Sequence, residues 1–274
     1  MAARVVGPTV ADVPSGSRQI LGMRVDATTY DDAAERIVWW ARAAESRYVC
    51  VAAVNNVMHA HDDKGFQEVM NAADLVTPDG MPLVWGLRWL GIAEARRVYG
   101  PDLTPVILAM AEREGLPVGF YGGAPDVVAA LVMEVRRRWP DLKVGYANSP
   151  PYRPLTSDED ARIVREIDAS GTRILFVGLG CPKQETWMAD HRGRLAAVMV
   201  GVGAAFDFLA GTKRQAPVWM RRFGLEWLFR LMTEPKRLLR RYLSQNPRFA
   251  LLLAAQLVRE WAHARLHLHG KGSL

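Results

Sequence analysis

Short apolar runs ending in glycine or a turn alternate with amphipathic stretches through most of this chain, and that alternation narrows the fold to one class. YVCVAA (48–53), LVTPDG (75–80), PVGFYGG (117–123), LKVGYA (142–147) and RILFVGLG (173–180) read as buried strands. Around and between them lie helical patterns at 30–44, 55–71, 81–91, 104–114, 125–140, 157–169 and 182–194. This order predicts an α/β fold, a Rossmann-like parallel sheet with helices on both faces. AVMVGVGAAFDFLAG (197–211) closes that body.

From Pro217 the pattern changes. Met220, Phe223, Trp227, Leu228 and Leu231, then Leu238, Leu239, Tyr242 and Leu243, form apolar stripes interleaved with arginines and broken near Pro235. Residues 211–248 hold ten lysines and arginines against Glu226 and Glu234, so a mildly acidic body carries a strongly basic tail although the whole chain is only +6. Three parts follow: a flexible lead (1–17), an α/β core (18–216) and a basic amphipathic helical appendage (217–274). Tails of this kind seek anionic partners and suit interfacial membrane binding. No run reaches the ~20 apolar residues of a membrane span, and the start has no apolar core of a secretory signal. The two cysteines, Cys50 and Cys181, form no CxxC pair. A cytoplasmic location is expected, peripheral to the inner face of the cell membrane.

Several places can carry chemistry. In Thr77-Pro78-Asp79-Gly80 an aspartate follows a rigid proline at a strand end, where it is placed to accept a proton; an ordinary turn aspartate has the same signature. Gly122-Gly123 and GLG (178–180) precede helices and let a backbone approach a phosphate. Neither is a P-loop or a GxGxxG fingerprint, which weakens a nucleotide-dependent oxidoreductase. Arg97 precedes the turn VYGPD and suits a diphosphate. Asp158-Glu159-Asp160 superficially matches a metal-binding DxD, but it follows Thr156-Ser157 and reads as a helix start. No nucleic-acid module is visible, so nucleic acid is not expected as a partner. A non-catalytic protein docking on membranes or nucleic acid through the tail is the remaining rival.

NAADLVTPDGMPLVWGLRWLG, RRVYGPDL, FYGG, ILFVGLGCPKQETWMADHR and VGVGAAFDFLAGTKRQAPVWMRRFGLEWLFRLMTEPKRLLRRYL occur in this order. Over residues 20–250 the chain resembles the WecG/TagA/CpsF glycosyltransferases (family 26). The resemblance implies an inverting enzyme without metal or other cofactor. It would move N-acetylmannosamine, its uronic acid or a related hexose from a UDP-sugar donor to a polyprenyl-diphosphate-linked acceptor in surface-polysaccharide assembly. It implies Asp79 as general base. Arg97, Gly122, Gly123, Gln184, Gly201 and Gly203 would line the substrate site, and Arg230, Arg237 and Arg240 would grip the lipid diphosphate. The chain departs from the family at 51–56, VAAVNN, where Ala53 stands opposite an asparagine. Either Asn55 or Asn56 substitutes, or the sugar specificity differs. Homo-oligomer formation is left open.

Overall fold

The computed structural model describes residues 16–269, leaving the side chains of residues 222, 237, 241 and 263–269 outside the description. An antiparallel hairpin, β1 (Ser17–Ile20) and β2 (Met23–Asp26), precedes α1 (Tyr30–Arg42). There follow β3 (Arg47–Ala52), α2 (Val54–Asp62), α3 (Lys64–Ala72), β4 (Leu75–Pro78), α4 (Met81–Trp89) and α5 (Gly100–Arg113). Next come β5 (Val118–Gly122), α6 (Pro125–Arg138), β6 (Val144–Asn148), α7 (Ser157–Ala169), β7 (Ile174–Gly178), α8 (Lys183–His191), β8 (Val198–Gly201) and α9 (Ala205–Leu209). The chain then runs through α10 (Val218–Arg222), α11 (Glu226–Thr233) and α12 (Pro235–His269).

Six strands pair in the order β4-β3-β8-β7-β5-β6, all parallel, so the α/β reading holds. Side chains alternate across a strand, and here both faces are apolar. Val49, Val51, Phe120, Phe176 and Val200 pack on one side with α1, α5, α6 and α9. Tyr48, Cys50, Tyr121, Val177 and Met199 pack on the other with α2, α3, α4, α7 and α8. Two cores on one sheet explain why the strands read as continuous apolar runs rather than as alternating ones.

Three local readings need revision. The expected helix over 55–71 is two helices, because Asp63 leaves helical geometry and its Oδ1 accepts from the N–H groups of Gly65 and Phe66, capping α3. Residues 17–26, for which the sequence shows no strand, form the hairpin, turning at Leu21 and Gly22 with φ of 53° and 90°. The lead expected over 1–17 yields Ser17 to β1, and its residues 1–15 lie outside the described residues. Residues 248–258 form the middle of α12, which continues past Pro247.

The last helix is bound to the body. Phe249 and Leu253 are buried in the core cluster that holds Ile20, Leu83, Val84 and Leu87. Arg248 makes a two-pronged ion pair with Asp62 at 2.7 and 2.6 Å. Gln256 accepts from the Leu21 N–H (2.9 Å) and donates to the Gln19 carbonyl (2.7 Å), partnering β1 through a side-chain amide. Among the described residues, no helix is long and apolar enough to cross a membrane.

Candidate active site

The carboxyl edge of an open parallel sheet is where strands hand over to helix N-termini and where ligands bind. Asp79 stands there, one residue beyond β4. Its N–H donates to the Ala52 carbonyl at 2.8 Å, and its Oδ2 accepts from the Gly100 N–H, the first residue of α5, at 3.2 Å. A carboxylate at a helix N-terminus is favoured by the unpaired N–H groups there. Gly100 packs closely here: a Cβ at that position would lie 3.6 Å from Asp79 Oδ2 and 3.3 Å from Val51.

Arg97 closes the other side. Its Nε donates to the Asp79 carbonyl, its Nη2 lies 3.5 Å from Asp79 Oδ1, and its guanidinium stacks 4.2 Å above the Tyr99 ring. Nη2 is nearer to Glu226 Oε2, at 2.6 Å. Glu226 comes from α11, so the appendage supplies the second carboxylate of an Asp79–Arg97–Glu226 cluster. Burial pushes the Asp79 carboxyl up to about 6, against the pull of Arg97, with Glu226 adding to the rise and the Gly100 N–H and Arg230 opposing it. Burial likewise pushes the Tyr30 hydroxyl, which accepts from the Tyr99 N–H, up to about 12.

These residues line a pocket of about 140 Å³ completed by Asn55, Met81, Trp227, Arg230, Tyr242 and Gln245. The pocket therefore opens between the sheet edge and the appendage. Of the two asparagines that the sequence offers at the departure from the family pattern, Asn55 lines the pocket. Asn56 is turned inward: its Oδ1 accepts from the Ala53 N–H, and its Nδ2 donates to buried Glu185 at 2.9 Å.

A second cleft, of about 700 Å³, lies at the ends of β5 and β7 and is lined by Tyr121, Gly123, Tyr152, Gly178, Lys183 and Trp187 among others. Gly123 and Gly178 line it and are joined to each other: the Gly123 N–H donates to the Gly178 carbonyl at 3.0 Å. Gly122 has a φ of 115°, and a Cβ there would sit 2.6 Å from the Gly178 carbonyl carbon. Gly122→Ala is expected to destabilise the fold by about 1–3 kcal/mol through this strain. A lowered melting temperature checks it; an unchanged one refutes the close approach.

Gln184 is buried in the first turn of α8, its Oε1 accepting from the Gly180 N–H and its Nε2 donating to Glu185. It packs beneath the ends of β7 and β8, 3.1 Å from where a Gly201 Cβ would lie and 3.6 Å from where a Gly203 Cβ would lie. None of Gln184, Gly201 and Gly203 borders the Asp79 pocket. Arg230 does, with its Nε buried and unpartnered. Arg240 is exposed on α12 and does not line the pocket, and the side chain of Arg237 lies outside the described residues.

The Asp158–Asp160 run is a helix start, as Thr156 and Glu159 form a capping box. Glu159 also pairs with Arg153, while Asp160 pairs with Arg194 (2.6 Å) and His191 (2.9 Å). Among the described residues no cluster of three or more His, Cys, Asp or Glu side chains is placed to hold a metal. The residue that the sequence reading missed is Glu226, present there only as a negative charge in a basic stretch. An isolated acid on an arginine-rich amphipathic helix is its one signal.

A doubly covered parallel sheet with a buried carboxylate and a fixed guanidinium at its carboxyl edge is an α/β architecture that places ligands along that edge. Residues 18–263 match the model of the glycosyl transferase WecG/TagA/CpsF family, and the chain belongs to that family. It is thus a glycosyltransferase of polysaccharide biosynthesis, with a sugar donor and an acceptor as its substrates, rather than an oxidoreductase or a docking protein.

Proposed function

We propose that this enzyme transfers a hexose from a UDP-sugar to a polyprenyl-diphosphate-linked saccharide with inversion, and that Asp79 is the base. The observation that carries this reading is the titratable Asp79 carboxyl, held by the Gly100 N–H and Arg97 at the edge of a pocket. A carboxylate near 6 is ionised at neutral pH yet basic enough to take a proton in the transition state. As the acceptor hydroxyl oxygen bonds to the anomeric carbon, the bond from that carbon to the UDP oxygen breaks. The hydroxyl proton passes to Asp79, and UDP leaves as the anion.

The cleft at the ends of β5 and β7 is suited to the donor nucleotide. Exposed Tyr152 offers its ring to a base, and Lys183, which lies over that ring, a cation to the diphosphate. Strands in a sheet lie about 4.8 Å apart, so the three steps from β4 to β7 place this cleft roughly 14 Å from Asp79. That span suits one extended nucleotide-sugar. Arg230, which lines the pocket with its Nε unpartnered, is disposed to meet the charge of a lipid diphosphate. Membrane docking is supported by Trp85, Trp219, Phe223 and Trp227, all exposed around the appendage, and by the exposed row Leu239, Leu243, Leu251, Val258 and Trp261 along α12. Such a protein would sit on the cytoplasmic face of the membrane without crossing it.

The test is UDP release from a panel of UDP-sugars with a prenyl-diphosphate-GlcNAc acceptor in anionic vesicles, with and without EDTA, while sedimentation follows the protein. Acceptor-dependent release that survives EDTA, from protein that sediments with the vesicles, is the expected result. Release that EDTA abolishes would overturn the metal-free reading, and full activity without sedimentation would overturn the membrane one.

A further inference from the structure

We infer that Glu226 is a positioning residue: by engaging the guanidinium of Arg97 from the appendage side, it leaves Asp79 free to act as a proton acceptor. The inference rests on Asp79 being the base proposed above and adds to that reading a residue that acts through Arg97.

The geometry is unequal. One Arg97 nitrogen, Nη2, lies 2.6 Å from Glu226 Oε2 and 3.5 Å from Asp79 Oδ1. Glu226 is the more buried of the two carboxylates, with 9% of its side chain exposed against 21% for Asp79. The guanidinium is therefore committed first to Glu226. The groups facing Asp79 come from several elements: Arg97 and Tyr99 from the segment before α5, the Gly100 N–H from α5, and Arg230 and Glu226 from α11. Tyr30 from α1 stands behind Tyr99.

Without Glu226, Asp79 would face two cations and a helix N-terminus with no opposing charge. One arginine beside an aspartate lowers its pKa by about 1–3 units, and a carboxylate stabilised to that degree is a poor base. Glu226 cancels one of those cations. Burial is the main cause of the rise of the Asp79 carboxyl to about 6, and Glu226 adds to it against Arg97. Because Glu226 begins α11, the basicity of Asp79 becomes a property of the docked appendage.

The test labels the full-length chain with ¹³C at aspartate and glutamate carboxyls and follows Asp79, assigned through Asp79→Asn, by NMR titration. Glu226→Gln keeps an acceptor for Arg97 but removes the charge. It is expected to lower the Asp79 midpoint by about one unit or more and to move the acid limb of the pH–rate profile the same way. A purely structural role would lower activity at every pH and leave both midpoints in place, which would overturn the inference. Should that variant not fold, Glu226→Asp decides: it keeps the charge and is expected to leave the Asp79 midpoint where the wild type has it, and a midpoint lowered by about one unit overturns the inference. The base assignment fails separately, through turnover retained by Asp79→Asn.

Discussion

Asp79→Asn is expected to lower acceptor-dependent UDP release by about 10²- to 10⁴-fold, the usual contribution of a general base, while UDP binding is unchanged. Asparagine fills the same space but has no basic oxygen for the acceptor proton. Loss of turnover will not come from unfolding, and the linkage argument gives the sign. The Asp79 carboxyl stands near 6 in the folded protein against the ordinary 3.8. Between those values the folded state holds the proton more tightly than the unfolded chain, so stability falls as pH rises through the window. Above it the ionised carboxylate costs on the order of 2–3 kcal/mol. The asparagine variant therefore melts higher than wild type at pH 7.5 and not at pH 3.5. Turnover within threefold of wild type would remove Asp79 from the chemistry, and an unchanged melting temperature at pH 7.5 would refute the strained-carboxyl account.

Arg97→Ala should damage the fold more than any other single change at the site. Arg97 is the cation shared by two carboxylates, and its side chain is only 16% exposed. Removing one partner of a buried ion pair costs about 3–5 kcal/mol, because the remaining charges are stranded. Here two acids would be stranded side by side. The Asp79 carboxyl, already raised by burial, would lose the cation that opposes that rise, so the variant should be most damaged at neutral pH and partly recover below about pH 5. Urea midpoints at pH 4.5 and 7.5 measure this, and equal losses at both would show that Arg97 acts by packing on Tyr99 alone. Arg97→Lys should restore only part of the stability, since an ammonium does not reproduce the guanidinium contacts with the Asp79 carbonyl and Glu226.

What could be read in the sequence follows from how local the signal is. The parallel sheet was legible because Gly122, Gly178 and Gly201 end buried strands and helix-forming runs follow. The hairpin at Ser17–Asp26 was not. Its strands have four residues each, Arg18 and Arg24 interrupt the apolar pattern, and the turn is Leu21-Gly22 rather than the usual Asn-Gly. It is held by distant groups, Gln256 and Leu253, that no local window contains. The break at Asp63 was hidden because an aspartate on a helix surface looks like a cap until the backbone turns.

The site divides in the same way. Asp79 sits in a four-residue turn and Arg97 a short distance on, so both carry local signatures. Glu226 reaches Arg97 from 129 residues away. Its neighbours in the chain are cations and aromatics, which argue for an anionic or lipid partner and conceal an inward-facing acid. Choosing between Asn55 and Asn56 required the first turn of α2, because adjacent residues on a helix point about 100° apart.

The tie between Gln256 and the first strand bears on how the pocket is completed. A two-stranded hairpin is at best marginal alone, and this one meets its cover from a helix whose Gln256 lies 237 residues beyond Gln19. The same helix follows directly on α11, which brings Glu226 and Arg230 to the pocket. The central sheet is complete at β8, yet the Asp79 pocket gains its Glu226, Arg230 and Tyr242 wall only when α11 and α12 have docked. A chain clipped before α11 would keep the cleft at the ends of β5 and β7 but lack that wall of the pocket.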